Sequence, residues 1–230
     1  MTRISWFVAC VVLNLAAWAF LTPPAGAQKL DLDREFKAAV AQYEAGQYPE
    51  AATKLEKLVR EVPESFEVQE LLGLVYAAQS QNDKANAHLG KAVRLQPNSA
   101  TARTNLGNNL LRLDKLALAE QQFKKAAALA PRDYEPSHNL GEFYVRSNKV
   151  PEAIPFLERA QRIKPSAYDN GYDLSLAYVL TGKLSEARVL IHDLLKRKDT
   201  AELHGLLGEV EEKDGHFIVA ANEYEKAAHM

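Results

Sequence analysis

A spacing of 34 residues, repeated in several residue columns at once, constrains the fold of this 230-residue chain more than any other feature. Pro63, Pro97, Pro131 and Pro165 follow it. So do Ala51, Ala85, Ala119, Ala153 and Ala187. Leu72-Gly73, Leu106-Gly107 and Leu140-Gly141 form a third column, with Leu174-Ser175 in the same place of the next unit. Tyr76, Leu110, Tyr144 and Tyr178 form a fourth; Leu55, Leu89, Phe123, Leu157 and Ile191 form a fifth. Self-similarity at one fixed period is the signature of a stacked repeat array, which grows without a single central core.

Each column has a steric reason. Two helices in contact keep their axes about 8–10 Å apart, so small residues such as Gly73 and Ala85 suit the crossing point. The bulky column fills the space beside the crossing. Proline lacks an amide hydrogen and cannot continue a helix, so Pro97 and its equivalents close each unit. Turn-forming residues fall between paired helices: Gly46-Gln47, Gln81-Asn82-Asp83, Asn148-Lys149, Gly182-Lys183 and Asp214-Gly215.

The stretch Leu72-Gly73-x-x-Tyr76, followed by Ala85, Leu89, Ala92 and Pro97, resembles the tetratricopeptide repeat family. The resemblance runs from about residue 32 to residue 230. It implies an all-α fold, a right-handed α-solenoid of about six helix-turn-helix repeats. The expected units are 32–65, with helices near 32–45 and 48–61, then 66–99, 100–133, 134–167, 168–200 and 201–230, after a short lead-in at 28–31. The fifth unit is one residue short, because Ala220 follows Ala187 by 33 and not 34. It also lacks the closing proline, with Lys198-Asp199-Thr200 instead, so the joint between units five and six is expected to pack least regularly. The sixth unit keeps Leu207-Gly208, Gly215, Phe217, Ala220, Tyr224 and Ala227 and stops at Met230, before the proline position. Terminal repeats need a polar outer face or a covering helix. The expectation is an incomplete last repeat, a fragment of a longer array, or else an end that self-associates.

The first residues carry a different pattern. Arg3 precedes an apolar run from Ile4 to Leu21, broken only by Ser5 and Asn14 and ended by Thr22, Pro23 and Pro24. Ala25-Gly26-Ala27 has the small-x-small form of a signal-peptidase site, so residues 1–27 read as a secretory signal cleaved before Gln28. The protein is then exported, periplasmic or extracellular, with no membrane attachment after cleavage. The alternative is a retained transmembrane anchor, for which the run is nearly long enough. Cys10 lies inside the run and not after it, which disfavours a lipoprotein. Cys10, Trp6 and Trp18 are the only residues of their types, so the repeats carry neither a disulfide framework nor a thiolate metal site.

Charge and motif narrow the function. Lys and Arg number 28 against 30 Asp and Glu, for a net charge of -2. Binding nucleic acid calls for a basic stripe against the phosphates, and this balance gives none. The six histidines show no helical metalloprotease pattern, and no Gly-rich phosphate loop or nucleophile elbow occurs. No catalytic residue, metal ligand or cofactor is assigned.

The family resemblance implies a protein or peptide partner held in a concave groove lined by the first helix of each unit. Residues three or four apart share a helix face. On that basis Thr101, Thr104, Asn105, Asn108 and Arg112 face the groove in the third unit, and Glu135, His138, Asn139, Glu142 and Arg146 in the fourth. Asn105 and Asn139 form one column and Arg112 and Arg146 another. Amides can pair with a peptide backbone of any sequence, and guanidinium groups with carboxylates. Phe36, Val40 and Tyr43, then Leu74 and Ala77, and later Tyr172, Leu176 and Val179 make the flanks more apolar. The candidate binding residues are Asn105, Asn108, Arg112, His138, Asn139, Glu142, Arg146 and Tyr172. Some relatives grip a C-terminal carboxylate with a Lys/Asn/Arg clamp. Asn108 and Asn139 fall on its Asn positions, but Thr104, Asp169 and Asp173 stand where basic residues are needed. The reading is a non-catalytic interaction scaffold of the cell envelope. The alternatives are the substrate-recruiting part of a longer enzyme or a membrane-tethered adaptor.

Overall fold

The computed structural model describes the backbone from residue 25 and side chains from residue 31. The apolar run of the expected signal lies outside the described residues. Twelve helices follow and, among the described residues, no strand: α1 (Ala25–Glu44), α2 (Tyr48–Glu61), α3 (Phe66–Ala78), α4 (Asn82–Leu95), α5 (Ala100–Arg112), α6 (Leu116–Leu129), α7 (Tyr134–Arg146), α8 (Val150–Ile163), α9 (Tyr168–Leu180), α10 (Leu184–Leu195), α11 (Ala201–Lys213) and α12 (Phe217–His229). None of these is long and apolar enough to cross a membrane. The helix α1 begins at Ala25, ahead of the expected residue 32. The stretch Gln28-Lys29-Leu30 consists of good helix formers and carries no breaker.

The chain forms two compact units, one up to Ala119 and one from Glu120 to Met230. Within the first, α1 packs on α2, α2 on α3, α3 on α4 and α4 on α5; within the second, the same neighbour-to-neighbour order runs from α7 to α12.

The columns of the sequence become the core of each pair. Ala51, Ala85, Ala119, Ala153 and Ala187 have no exposed surface, and the bulky column from Leu55 to Ile191 is equally enclosed. The glycine column is where the helices touch. A methyl group on Gly73 would lie 2.7 Å from Leu89 Cγ, one on Gly141 2.5 Å from Leu157 Cδ2, and one on Gly208 2.6 Å from Tyr224 Cε1. At Gly73 and Gly141 the added carbon also meets the Leu89 and Leu157 amides at 3.0 and 3.2 Å, so the helices themselves must part, whereas at Gly208 only the exposed Tyr224 ring stands in the way.

The fifth pair departs from this rule. Ser175 holds the glycine place, and its Oγ donates to the Gly171 carbonyl at 2.8 Å. The close approach moves one turn back, where a methyl on Gly171 would sit 2.7 Å from Leu194 Cδ2. Helix α10 is 12 residues long, against 14 for α2, α4 and α8. Lacking the closing proline, its end is held by Arg197, whose Nη1 donates to the Pro165 carbonyl at 2.7 Å.

Two further columns emerge from the backbone. Gly46, Ser80, Asp114, Asn148, Gly182 and Gly215 all take positive φ, between 55° and 82°, at the turn inside each pair. Behind each, the next amide donates to a carbonyl five residues earlier, as Gln47 does to Gln42 at 2.8 Å and Lys149 to Tyr144 at 2.8 Å. Such left-handed closure suits glycine and tolerates Asn, Asp and, less readily, Ser. The turn at Gln81-Asn82-Asp83 is thereby corrected: Ser80 makes the turn, and Asn82 and Asp83 open α4. The second column is the helix start. Ser65 Oγ accepts from Val68 N at 3.3 Å, Ser99 Oγ from Ala102 N at 3.2 Å and Thr200 Oγ1 from Leu203 N at 3.4 Å. At the same place before α9 stands Ala167, which has no side-chain acceptor to offer.

The glycine contacts give a paired prediction. Gly205 has open space where its side chain would be, so Gly205→Ala gains helix propensity and raises stability by about 0.5–1 kcal/mol. Gly141→Val must displace the fully buried Leu157 and lowers stability by about 1–3 kcal/mol. Chemical-denaturation midpoints of the two variants check both signs.

Candidate functional site

In the first unit the candidate polar face is built by α3 and α5. Glu70 on α3 has no exposed surface, and Asn105 Nδ2 donates to its Oε1 at 3.0 Å. The other oxygen, Oε2, is buried without a hydrogen-bond partner. Burial pushes this carboxyl up to about 7, against the opposing effect of the Asn105 hydrogen bond. Arg112 Nη1 donates to the Ala77 carbonyl at 2.7 Å, tying the end of α5 to α3. Asn105 and Arg112 therefore spend donors on holding α3 and α5 together, while Asn108 is exposed. Phe36 and Val40 are buried and belong to the core.

In the second unit the face is built by α7 and α9. The buried Asn170 orders it. Its Nδ2 donates to the Leu157 carbonyl at 3.0 Å and to Gln161 Oε1 at 2.9 Å. Its Oδ1 is therefore the acceptor toward His138 Nδ1, 3.2 Å away. That fixes the proton on Nδ1 and leaves Nε2 as the ring nitrogen without a partner from Asn170. Tyr134 stacks on the same imidazole, 5.2 Å between centroids and 13° between planes. The ring is thus held on two sides.

His138 then forms part of a cleft of about 280 Å³ with Glu142, Tyr168, Asp169, Tyr172 and Asp173. Of the eight residues that the sequence points to, the structure brings His138, Glu142 and Tyr172 together here. Arg146 stands beside them, 3.4 Å from Glu142 through Nη1. Asn139 is half-buried on the same helix, and Val179 is buried in the core. Asn105, Asn108 and Arg112 belong to the first unit.

Of the cleft's other members, Asp169 and Asp173 stand where a carboxylate clamp needs basic residues, and Tyr168 is marked by nothing in the sequence pattern. Burial raises the Asp173 carboxyl to about 6; His138 opposes that rise, and Glu142 and Asp169 add to it by repulsion. Tyr172 is pushed up by burial and by the nearby charges of Glu202, Asp173 and Glu209. The periodic columns hold the signal for this arrangement. Glu135, Asp169 and Glu202 occupy one place in α7, α9 and α11, and Asp173 occupies that of Asn139. The site is acidic and aromatic, with one histidine of fixed tautomer.

Both raised carboxyls oppose folding at high pH. The folded state holds the Glu70 proton up to about pH 7, whereas an unfolded chain releases it near the ordinary value of 4.5. Between those values the folded state binds more protons, so stability falls as pH rises and then levels off above about 7. Glu70→Gln keeps an acceptor for Asn105 and removes the charge. It raises stability at pH 8 by on the order of 1–3 kcal/mol and has little effect at pH 4, as measured by denaturation at the two pH values.

Comparison with known proteins fits this architecture. The family model described as "Tetratricopeptide repeat" matches residues 36–100, 72–134 and 104–168, and a second model of the same description matches 144–210. No curated protein matches the chain in sequence. Among solved structures, YrrB, described as a TPR protein with an unusual peptide-binding site, superposes with a TM-score of 0.69 at 20% identity, covering 75% of this chain and 90% of its own. PilF of Pseudomonas aeruginosa gives 0.71 at 18% identity, covering 84% and 88%. PilW, described as a widely conserved type IV pilus biogenesis factor, gives 0.70 at 21% identity, covering 84% and 90%. Twelve helices, stacked neighbour on neighbour within each unit, one steric period and these matched spans together make an α-solenoid, and the chain belongs to the tetratricopeptide repeat family.

Proposed function

We propose that this protein is a non-catalytic scaffold of the cell envelope that captures an extended or helical segment of a partner protein on the first helices of its repeats. The observation that carries the reading is the α7–α9 cleft, where aromatic and ionisable side chains meet and only part of their bonding capacity is used inside the chain. His138 is oriented by Asn170, and Tyr172 and Asn139 remain half-exposed beside it. Asn108 offers an exposed amide in the first unit, next to Asn105 and Arg112. Glu142 and Arg146 add a weak, exposed ion pair that a partner can rearrange at little cost. Recognition of peptides by a related fold, as described for YrrB, favours the same use here. The envelope location rests on the apolar run and on the Ala25-Gly26-Ala27 site.

Selection from a random peptide library on the purified protein tests the binding role. Enriched peptides are expected to bind the parent protein and to lose about tenfold or more in affinity to Tyr172→Ala with Asn139→Ala, while the helical circular dichroism is unchanged. A library that yields no binder, or binders indifferent to both substitutions, overturns the reading. For the location, N-terminal sequencing of the protein recovered from expressing cells is expected to start at Gln28; recovery of the chain with its apolar run intact counts against export by cleavage.

A further inference from the structure

The composition of the cleft points to the kind of segment it takes. We infer that the α7–α9 cleft accepts a lysine or arginine side chain of an extended partner segment, with Tyr168 and Tyr172 as walls and Asp169 and Asp173 as counter-charges. This rests on the scaffold reading above and narrows it to one ligand chemistry.

Four observations converge. The first is space: the cleft has room for a long side chain between the two helices. The second is unspent charge. Among the described residues, neither the Asp169 nor the Asp173 carboxylate has a hydrogen-bond or ion-pair partner, and Glu142 is shared only with the exposed Arg146 at 3.4 Å. Burial, with repulsion from Glu142 and Asp169, raises the energy of the Asp173 charge, His138 and Arg146 offset only part of that, and an incoming cation relieves the rest. The third is the wall chemistry. Lys198, from the loop before α11, already places its ammonium 4.5 Å from the Tyr168 ring centroid, and Lys164 does the same to Tyr134 at 5.3 Å. Tyrosine rings of this unit therefore accept ammonium groups, as ring quadrupoles do, and with Lys198 already against Tyr168 the Tyr172 ring is the wall left to the ligand's cation. The fourth is the periodic surrounding. Glu202 and Glu209 of α11 bring further negative charge to Tyr172, so the acidic field continues from α7 through α9 to α11.

That continuity sets a spacing. Neighbouring packed helices lie about 8–10 Å apart, and an extended chain advances about 3.3–3.6 Å per residue. One step between packed neighbours therefore corresponds to about two to three residues of ligand, and α7, α9 and α11, being alternate helices of the stack, call for a step at the upper end of that range. A segment with basic residues spaced about three apart suits such a step better than one with them side by side. A carboxylate-terminated peptide, the ligand of a basic clamp, meets repulsion here from Asp169 and Asp173.

The test uses three short synthetic peptides of glycine and serine: one with lysine at every third position, one with glutamate in the same places, and one with the same number of lysines side by side. Fluorescence anisotropy against the full-length protein reads the affinity. The periodic lysine peptide is expected to bind, to bind more tightly than the clustered one, and to weaken as salt rises. Asp169→Asn with Asp173→Asn, isosteric changes that leave the helices intact by circular dichroism, is expected to cost about tenfold or more. Tyr172→Phe, which keeps the wall, is expected to preserve binding, and Tyr172→Ala to lose it. Equal binding of the lysine and glutamate peptides, no binding of the lysine peptide, or lysine binding unchanged by the double Asn variant overturns the inference. If library selection still returns peptides that need Tyr172 but carry no basic residues, the scaffold reading stands and this one falls. If it returns none, both fall.

Discussion

Backbone contact at the glycine and alanine crossings is the constraint on which the rest of the structure depends. With Gly73, Gly141 and Gly208 pressed against Leu89, Leu157 and Tyr224, the two helices of a pair cannot slide or splay without opening a void in the core. That lock fixes which face of each first helix is turned away from its partner. The polar residues on that face are then placed by the pairing, with no need for a long-range core. The Asn170 network shows how this is used. Because α8 and α9 pack closely, Leu157 and Gln161 can satisfy the Asn170 amide, and that in turn sets the orientation of His138 on α7. One buried amide transmits the positions of two helices to the imidazole of a third.

The site also shows what burial does to charge when the partners are few. Glu70 and Asp173 are both carboxyls placed where water is scarce, but they differ in use. Glu70 is fully enclosed, is met by one amide and has an orphan oxygen; it sits at the cost of stability and orients Asn105. Asp173 stands at the edge of a cleft among other acids, where an approaching cation can reach it. Carboxylates fully engaged by the chain behave in the opposite way. Glu120, bonded to both Lys124 and Lys149, is held at about 2. The contrast between Glu120 and Asp173 separates charges that staple the repeats from charges that the chain itself leaves uncompensated.

Much of the fold was legible because its rules act identically in every unit. A crossing needs a small residue each time, so Ala51 to Ala187 appear as a column, and the closing prolines do likewise. The start of α1 was missed because helix propensity ahead of residue 32 carries no period. The turns were read in part: Gly46 and Gly182 announce themselves, whereas Ser80 and Asp114 adopt the same left-handed backbone without a residue type that demands it. The site was the least legible part. Helical spacing puts His138 and Glu142 on one face and they do share a cleft with Tyr172, but Asp169 and Asp173 stand out in the sequence only against a basic clamp they do not form. The Asn105–Glu70 pair depends on an offset of 35 residues and on side-chain rotamers, and Asn170 occurs once, so no repetition exposes either.

The left-handed turns carry an implication for how such a protein can change over time. Glycine already stands at three of the six positions, and Ser80, Asp114 and Asn148 bear the strain of a side chain at the others. Each lies at the tip of a helical hairpin, away from the cleft residues in sequence and in role. Exchanges there between glycine and a polar residue adjust the firmness of a single repeat and leave the helices that line the cleft untouched. The six turns are thus separate tuning points, through which the robustness of one repeat can be raised or lowered without touching the α7–α9 cleft.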